Sequence, residues 1–188
     1  MSKTMVLVFF MVLWYIGTSL GVGTMKIRMD IRIGHGYDLH RLATVEEGGG
    51  TMVIGGIPIE AEIGPIAHSD GDAVLHAITD AILSAIGEPD IGQLFPDTDP
   101  KYKDADSSTF LVEAVQRANE GGWAIGNVDI TVICDQPKIG PYREQSCTNI
   151  QKIIAAPVNI KGKTREGFGQ GKAIEVHVVA LVQRGSQA

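Results

Sequence analysis

Asp38, His40 and His76 are the side chains with the most chemistry to offer. Asp38 and His40 stand two residues apart where a strand pattern runs out, and period-two geometry turns both toward one face. His76 falls within a helical apolar pattern, with Asp72 and Asp80 one turn to either side. One carboxylate and two imidazoles suit Zn²⁺ or another borderline divalent ion. Three protein ligands also leave a position open for substrate, the catalytic rather than the structural arrangement. Taken singly the pieces are unspecific. An Asp-x-His pair recurs by chance, and Asp72, His76 and Asp80 at helical spacing also describe a solvated helix face.

Other residues can handle phosphate. His68 and Ser69 precede the N-terminus of the same helix, where backbone N–H groups attract anions, although plain capping explains them too. In Asp90-Ile91-Gly92 the aspartate either caps a turn or accepts from ribose hydroxyls. Lys161, Lys163, Thr164 and Glu166 surround a glycine-rich loop. Such a loop can turn N–H groups toward phosphate oxygens, and Glu166 could hold a hard cation such as Mg²⁺. A solvated hairpin connection accounts for the same letters. Lys138 reads as a surface lysine. His35 and His177 read as structural, His177 as a satisfied core or interface histidine. No Ser–His–Asp order, Walker A loop or dinucleotide fingerprint stands out.

The elements that must position these residues follow from periodicity. Alternation predicts a strand over 27–34 and a short strand over 51–57, closed by Gly55 and Gly56. The stretch Ser69–Asp72 caps a helix over 73–86, with Val74, Leu75, Ile78, Ile82 and Leu83 on one face and Gly87 and Pro89 as its stop. A proline-bounded loop covers 95–100. Helices over 107–119 and 143–155 alternate with strands over 124–134 and 158–161. Pro137 and Pro141 bracket a turn, and a final strand covers 173–183 after the loop 164–171. This order predicts a single α/β (α+β layered) domain, a mixed β-sheet with helices packed on one face.

Composition narrows the function. The chain has 188 residues, 44% hydrophobic and 20% charged, enough for one core in a single domain over 25–188. A net charge of −6 argues against a nucleic-acid partner. Cys134 and Cys147 form no CxxC pair and predict reduced thiols in a cytosol-like, cytoplasmic setting. Residues 1–24 are hydrophobic, with an uncharged run from Thr4 to Thr24. They fit a secretory signal or organelle-targeting segment, a membrane anchor, or sequence upstream of a natural start at Met25 or Met29. A membrane partner is expected only if this segment is real.

Together the motifs resemble the 2-C-methyl-D-erythritol 2,4-cyclodiphosphate synthase family. The resemblance rests on residues 32–40 (RIGHGYDLH), 67–76 (AHSDGDAVLH), 90–92 (DIG), 95–99 (FPDTD) and 126–129 (GNVD), in that order. It implies a lyase-type intramolecular phosphoryl transfer in non-mevalonate isoprenoid biosynthesis. The 2-phosphate of 4-diphosphocytidyl-2-C-methyl-D-erythritol 2-phosphate attacks its own β-phosphorus, and CMP leaves. Such a reaction needs positioning and charge neutralisation more than a strong base.

Carried over by resemblance, Asp38, His40 and His76 are the Zn²⁺ ligands, and Glu166 holds Mg²⁺ or Mn²⁺ with the substrate phosphates. His68 and Thr164 stabilise the transition state. Ser69 meets the erythritol phosphate end, and Asp38, Leu39, His40 and His68 also contact substrate. Asp90, Ile91 and Gly92 hold the ribose. Phe95, Pro96, Asp97, Thr98 and Asp99 border the erythritol site. Cys134, Asp135, Gln136, Pro137, Lys138, Ile139 and Gly140 form the cytosine pocket. Lys163, Thr164, Arg165, Glu166 and Phe168 complete the substrate contacts. The family is a homotrimer with active sites between subunits and strands facing the three-fold axis.

The chain departs from the family pattern in a shorter third-helix region, in a compressed loop at 167–171 with Gln170 where arginine is common, and in Lys163 where threonine is common. Two other classes stay open on the residues alone: a metal-dependent phosphohydrolase, and a non-catalytic trimer that binds isoprenoid diphosphates.

Overall fold

The computed structural model describes residues 27–187 except 103–104 and 169–171, so the segment 1–24 and Gln170 lie outside the described residues. Residues 30–184 form one compact unit. Its main sheet has five strands in the order β4-β1-β7-β5-β6: β1 (Ile27–Ala43), β4 (Gly64–Pro65), β5 (Ala124–Ile133), β6 (Val158–Lys163) and β7 (Ala173–Gln187). β5 runs parallel to β6 and antiparallel to β7, so the sheet is mixed. A separate hairpin joins β2 (Met52–Ile54) to β3 (Ile57–Ile59). The helices are α1 (Ala73–Ile86), α2 (Ile91–Leu94), α3 (Ser108–Glu120) and α4 (Arg143–Ile154).

Strand alternation fixes which face the helices cover. On β7, Ile174, Val176, Val178, Ala180 and Val182 are buried, and on β5 so are Val128, Ile130 and Val132. They join one core with Leu75, Ile78, Ile82 and Leu83 of α1, Leu111 of α3 and Ile150 of α4. The opposite face carries Ile31, Ile33, Tyr37, Leu39 and Val179, all exposed. Helices therefore pack on one face, as the periodicity predicts.

Several boundaries differ from the sequence reading. β1 does not stop near residue 34 but continues to Ala43, so Asp38 and His40 lie inside a strand rather than at its end. The glycines that look like a break are a packing device. A Cβ on Gly34 would lie 1.9 Å from the carbonyl oxygen of Ala81, and one on Gly36 would lie 1.8 Å from that of Ala77. Only glycine lets α1 lie this close to the strand.

The predicted strand 51–57 is instead a hairpin. Gly55 and Gly56, at φ 62° and 77°, supply the left-handed pair that a two-residue turn needs. β6 and β7 run past their predicted ends, and α2 forms where the sequence reads as a turn after the helix stop at Gly87 and Pro89.

The predicted helix at 73–86 matches α1 in the structure, and its cap is stronger than expected. Asp72 is fully buried rather than solvated. It accepts from the backbone N–H groups of Val74 and Leu75 at 3.0 and 3.1 Å, and from that of Gly56 at 2.5 Å. One carboxylate thus ends the helix and ties it to the β2–β3 hairpin.

Candidate metal centre

β1 turns Asp38 and His40 toward α1, and α1 brings His76 to meet them. The Oδ2 atom of Asp38 lies 3.1 Å from Nδ1 of His76 and 3.4 Å from Nδ1 of His40. One ligand atom from each of the three residues can be chosen so that all lie within 4.8 Å of one another. Leu39 N donates to the other oxygen, Oδ1, at 2.9 Å, which orients the carboxylate.

His40 Nδ1 is buried with no hydrogen-bond partner. A buried imidazole nitrogen without a partner, facing a carboxylate oxygen and a second imidazole nitrogen, is what a divalent cation would satisfy. The residues fit such an ion.

The two imidazoles sit in different electrostatic settings. Burial lowers the pKa of His40 and outweighs the pull of Asp38, so His40 favours the neutral form that ligates. Burial also acts to lower His76. There the hydrogen bond and charge of Asp38, with Asp72 and Asp70 behind it, reverse the balance and raise it.

The centre opens into a cavity of about 390 Å³ lined by His40, His68, Ser69, His76, Ile91, Gly92, Phe95 and Asp97, with Tyr102 and Phe110. Phe95 packs on Phe110 with ring centroids 4.8 Å apart and on Tyr102 at 5.5 Å, giving the cavity an apolar wall. Tyr102 and Phe110 escaped the sequence reading, because an aromatic in a polar loop and one on a helix's apolar face carry no pattern of their own.

Asp90 does not line this cavity. Its carboxylate accepts from Gln93 N and Gln93 Nε2 at 2.8 and 2.7 Å, capping α2, and these bonds lower its pKa. Pro96 and Asp99 build the turn that carries Asp97. The Pro96 carbonyl accepts from Asp99 N at 3.0 Å, and Asp99 Oδ1 accepts from Lys101 N at 3.0 Å. Thr98 is exposed in that turn.

Thr164 and Glu166 lie elsewhere. They line a second cavity of about 490 Å³ with Cys134, Lys138, Ile139, Gly140 and Lys163. Thr164 Oγ1 donates to Glu166 Oε1. Glu166 has φ 52°, a left-handed conformation unusual for a side chain of this size and the kind of local strain that collects at functional sites. Burial pushes the Cys134 thiol up to about 11, so it is held protonated. Asp135, Gln136 and Pro137, expected beside Lys138, line a third cavity of about 780 Å³ instead, with Glu60, Glu62 and Lys172. Asp135 Oδ1 accepts from Arg165 N at 3.0 Å, and Arg165 pairs with Glu175 at 3.3 Å. Phe168 is exposed.

His177 is not a core residue: it lies half-exposed on the open face, bonded to Glu175 at 3.1 Å, with its ring tilted at 56° to that of Tyr37. Glu166 is not brought to Asp38 within one chain. The metal-site residues and the Glu166 loop line separate cavities.

The model of the YgbB family matches residues 31–183, which takes in all three cavities and all three metal-site residues. The chain belongs to the YgbB family. A family relative from Arabidopsis thaliana, named 2-C-methyl-D-erythritol 2,4-cyclodiphosphate synthase, chloroplastic, is 48% identical over 162 residues, covering 83% of this chain and 68% of that protein. The synthase of the same name from Aquifex aeolicus is 44% identical over 149 residues, covering 78% and 93%. Among solved family structures, a 2C-methyl-D-erythritol-2,4-cyclodiphosphate synthase in a CDP-bound form superposes with a TM-score of 0.74 at 37% identity, covering 80% of this chain and 99% of that one. No helix among the described residues is long and apolar enough to cross a membrane.

Proposed function

We propose that this chain is a 2-C-methyl-D-erythritol 2,4-cyclodiphosphate synthase. It converts 4-diphosphocytidyl-2-C-methyl-D-erythritol 2-phosphate to the cyclic diphosphate with release of CMP. The observation that carries this is the convergence of Asp38, His40 and His76 beside a cavity to which His40 and His76 contribute together with His68 and Ser69, in a family whose named relatives are such synthases.

The chemistry divides between two half-sites. Asp38, His40 and His76 hold Zn²⁺, which when bound supplies Lewis-acid polarisation and fixes the orientation of a β-phosphate. His68, at the mouth of the same cavity, faces the phosphate oxygens and stabilises the charge that builds on them. Ser69 donates to the 2-phosphate end, and Phe95, Tyr102 and Phe110 keep water from the erythritol carbons. Lys138, Ile139 and Gly140 bound the cytosine pocket. Thr164, whose hydroxyl donates to Glu166, lies in the same cavity and would contribute to phosphate contacts, and Glu166 would hold Mg²⁺ or Mn²⁺, which would neutralise phosphate charge. The nucleophile is a substrate phosphate already anionic near neutral pH, so no side chain need act as a strong general base.

Because one chain keeps the half-sites apart, each complete site is assembled from neighbouring subunits of a homotrimer. Ile31, Ile33, Leu39 and Val179 on the open sheet face supply an apolar surface for packing around its axis. Both cysteines are unpaired and buried, in keeping with a reducing, cytoplasmic setting.

The test is to incubate the full chain with the substrate, Zn²⁺ and Mg²⁺ in H₂¹⁸O. Release of CMP with no ¹⁸O in the second product is expected. Incorporation of ¹⁸O would mean attack by water, hence a phosphohydrolase, and absence of CMP from a metal-loaded trimer would sink the assignment.

A further inference from the structure

Two residues with no role above, Ser107 and Asp70, lie directly behind His76. Ser107 is fully buried. Its Oγ lies 2.8 Å from His76 Nε2 and donates to Asp70 Oδ1. The same Asp70 oxygen accepts from Asp72 N at 3.1 Å, and Asp70 Oδ2 accepts from Ser107 N at 3.1 Å. The aspartate is thereby held rigidly against the serine.

The direction of these bonds decides the state of the histidine. An ionised carboxylate only accepts, and a serine hydroxyl has one proton. Ser107 gives that proton to Asp70 and so presents a lone pair to His76. His76 must then donate through Nε2–H. A neutral imidazole carries one N–H, so Nδ1 is left bare. In the neutral ring, bare Nδ1 faces Asp38 Oδ2 at 3.1 Å, lone pair toward lone pair; either a proton on Nδ1, as in the hydrogen bond to Asp38 described above, or a metal cation in its place satisfies that contact. The opposite tautomer would set the lone pair of Nε2 against that of Ser107. Ser69 Oγ, at 3.3 Å from Nε2, is a longer and weaker second acceptor that already takes a bond from Gly71 N.

We propose that Asp70 and Ser107 are positioning residues that hold the proton of His76 on Nε2 and thereby present Nδ1 to the metal. This rests on the metal-site reading above. It places a carboxylate–hydroxyl–imidazole relay behind the ligand, where an outer partner sets both tautomer and basicity.

The test uses the full chain labelled with ¹⁵N-histidine and loaded with Zn²⁺, beside competition titrations of Zn²⁺ against a chelator. The expected spectrum has His76 bonded to the metal through Nδ1 with its Nε2–H retained. Ser107→Ala should weaken Zn²⁺ binding by about 10- to 100-fold and speed solvent exchange of that N–H. Asp70→Asn should weaken it in the same sense.

Coordination of His76 through Nε2 would overturn the proposal from the unsubstituted protein alone, even if Ser107→Ala failed to fold. So would a folded Ser107→Ala variant that binds Zn²⁺ within twofold of the parent. Failure of the unsubstituted chain to bind Zn²⁺ at all would overturn the metal reading itself, a result distinct from either.

Discussion

A Cβ placed on Gly36 would lie 1.8 Å from the carbonyl oxygen of Ala77. Strand and helix therefore touch backbone to backbone one residue from His76 and two from Asp38. The approach that brings these ligands within 3.1 Å of each other depends on a missing side chain. Gly36→Ala should push α1 off β1 and pull His76 away from Asp38. The expected loss is about 1–3 kcal/mol of stability from overpacking, together with at least a tenfold weaker affinity for Zn²⁺. Urea unfolding and a chelator competition on the same preparation check the two effects. Unchanged Zn²⁺ affinity in a folded variant would show that the close approach does not set the site.

His76→Ala removes one of three ligand donors and leaves an open tetrahedral position in its place. His76 is partly buried, lines the cavity and is not part of the apolar core, so the fold should survive. Metal analysis of the dialysed protein should show Zn²⁺ lost from the variant and retained by the parent, and CMP release should fall by several orders of magnitude. Stripping Zn²⁺ from the parent with a chelator should cause a comparable loss that added Zn²⁺ restores. A variant that keeps both metal and turnover would remove His76 from the ligand set.

The parts of the site legible in the sequence are those where one periodicity governs. Asp38 and His40 share a face because strand geometry demands it, and α1 was readable because five apolar residues repeat along a capped stretch. What was not legible depends on three-dimensional approach. The strand pattern ends at Gly34, yet Gly34 and Gly36 are where the strand continues with the backbone of α1 packed directly on it. Asp72 is readable as part of the helix cap, but not its full burial or the bond by which it also holds the Gly56 turn. Ser107 is 31 residues from His76 in sequence, and nothing local marks a helix-initial serine as a partner for a metal ligand. The family resemblance groups Asp135, Gln136 and Pro137 with Lys138, whereas in the single chain they line a different cavity from Lys138.

Cys134 lies in the cavity of Lys138 and Glu166, and its thiol donates to the carbonyl of Gln136 at 2.9 Å. Burial disfavours the thiolate and raises the pKa to about 11. A raised thiol pKa means the reactive form is scarce below that pH and grows tenfold per pH unit toward it. At pH 7.5 alkylation by iodoacetamide should be roughly 300-fold slower than for a free cysteine of ordinary pKa. Peptide mass spectrometry across pH 7 to 11 would follow it. A rate that levels off below pH 9 would show a thiolate stabilised by its surroundings and contradict this account.

The two half-sites make a prediction about mixtures. His76→Ala disables the metal half and leaves the loop of Thr164 and Glu166 intact, while Glu166→Gln does the reverse. Each variant alone should release little CMP, and Glu166→Gln should still bind Zn²⁺ with the parent's affinity. If complete sites form between subunits, unfolding and refolding the two variants together lets a sound metal half meet a sound loop half. In a homotrimer with random assembly, about a quarter of the sites in an equal mixture pair sound halves, so activity should recover to roughly a quarter of the parent's. Simple mixing without subunit exchange should give none. If refolded mixtures stay inactive while trimers form, Glu166 and the metal ligands of one chain must serve the same site, and the division into half-sites fails.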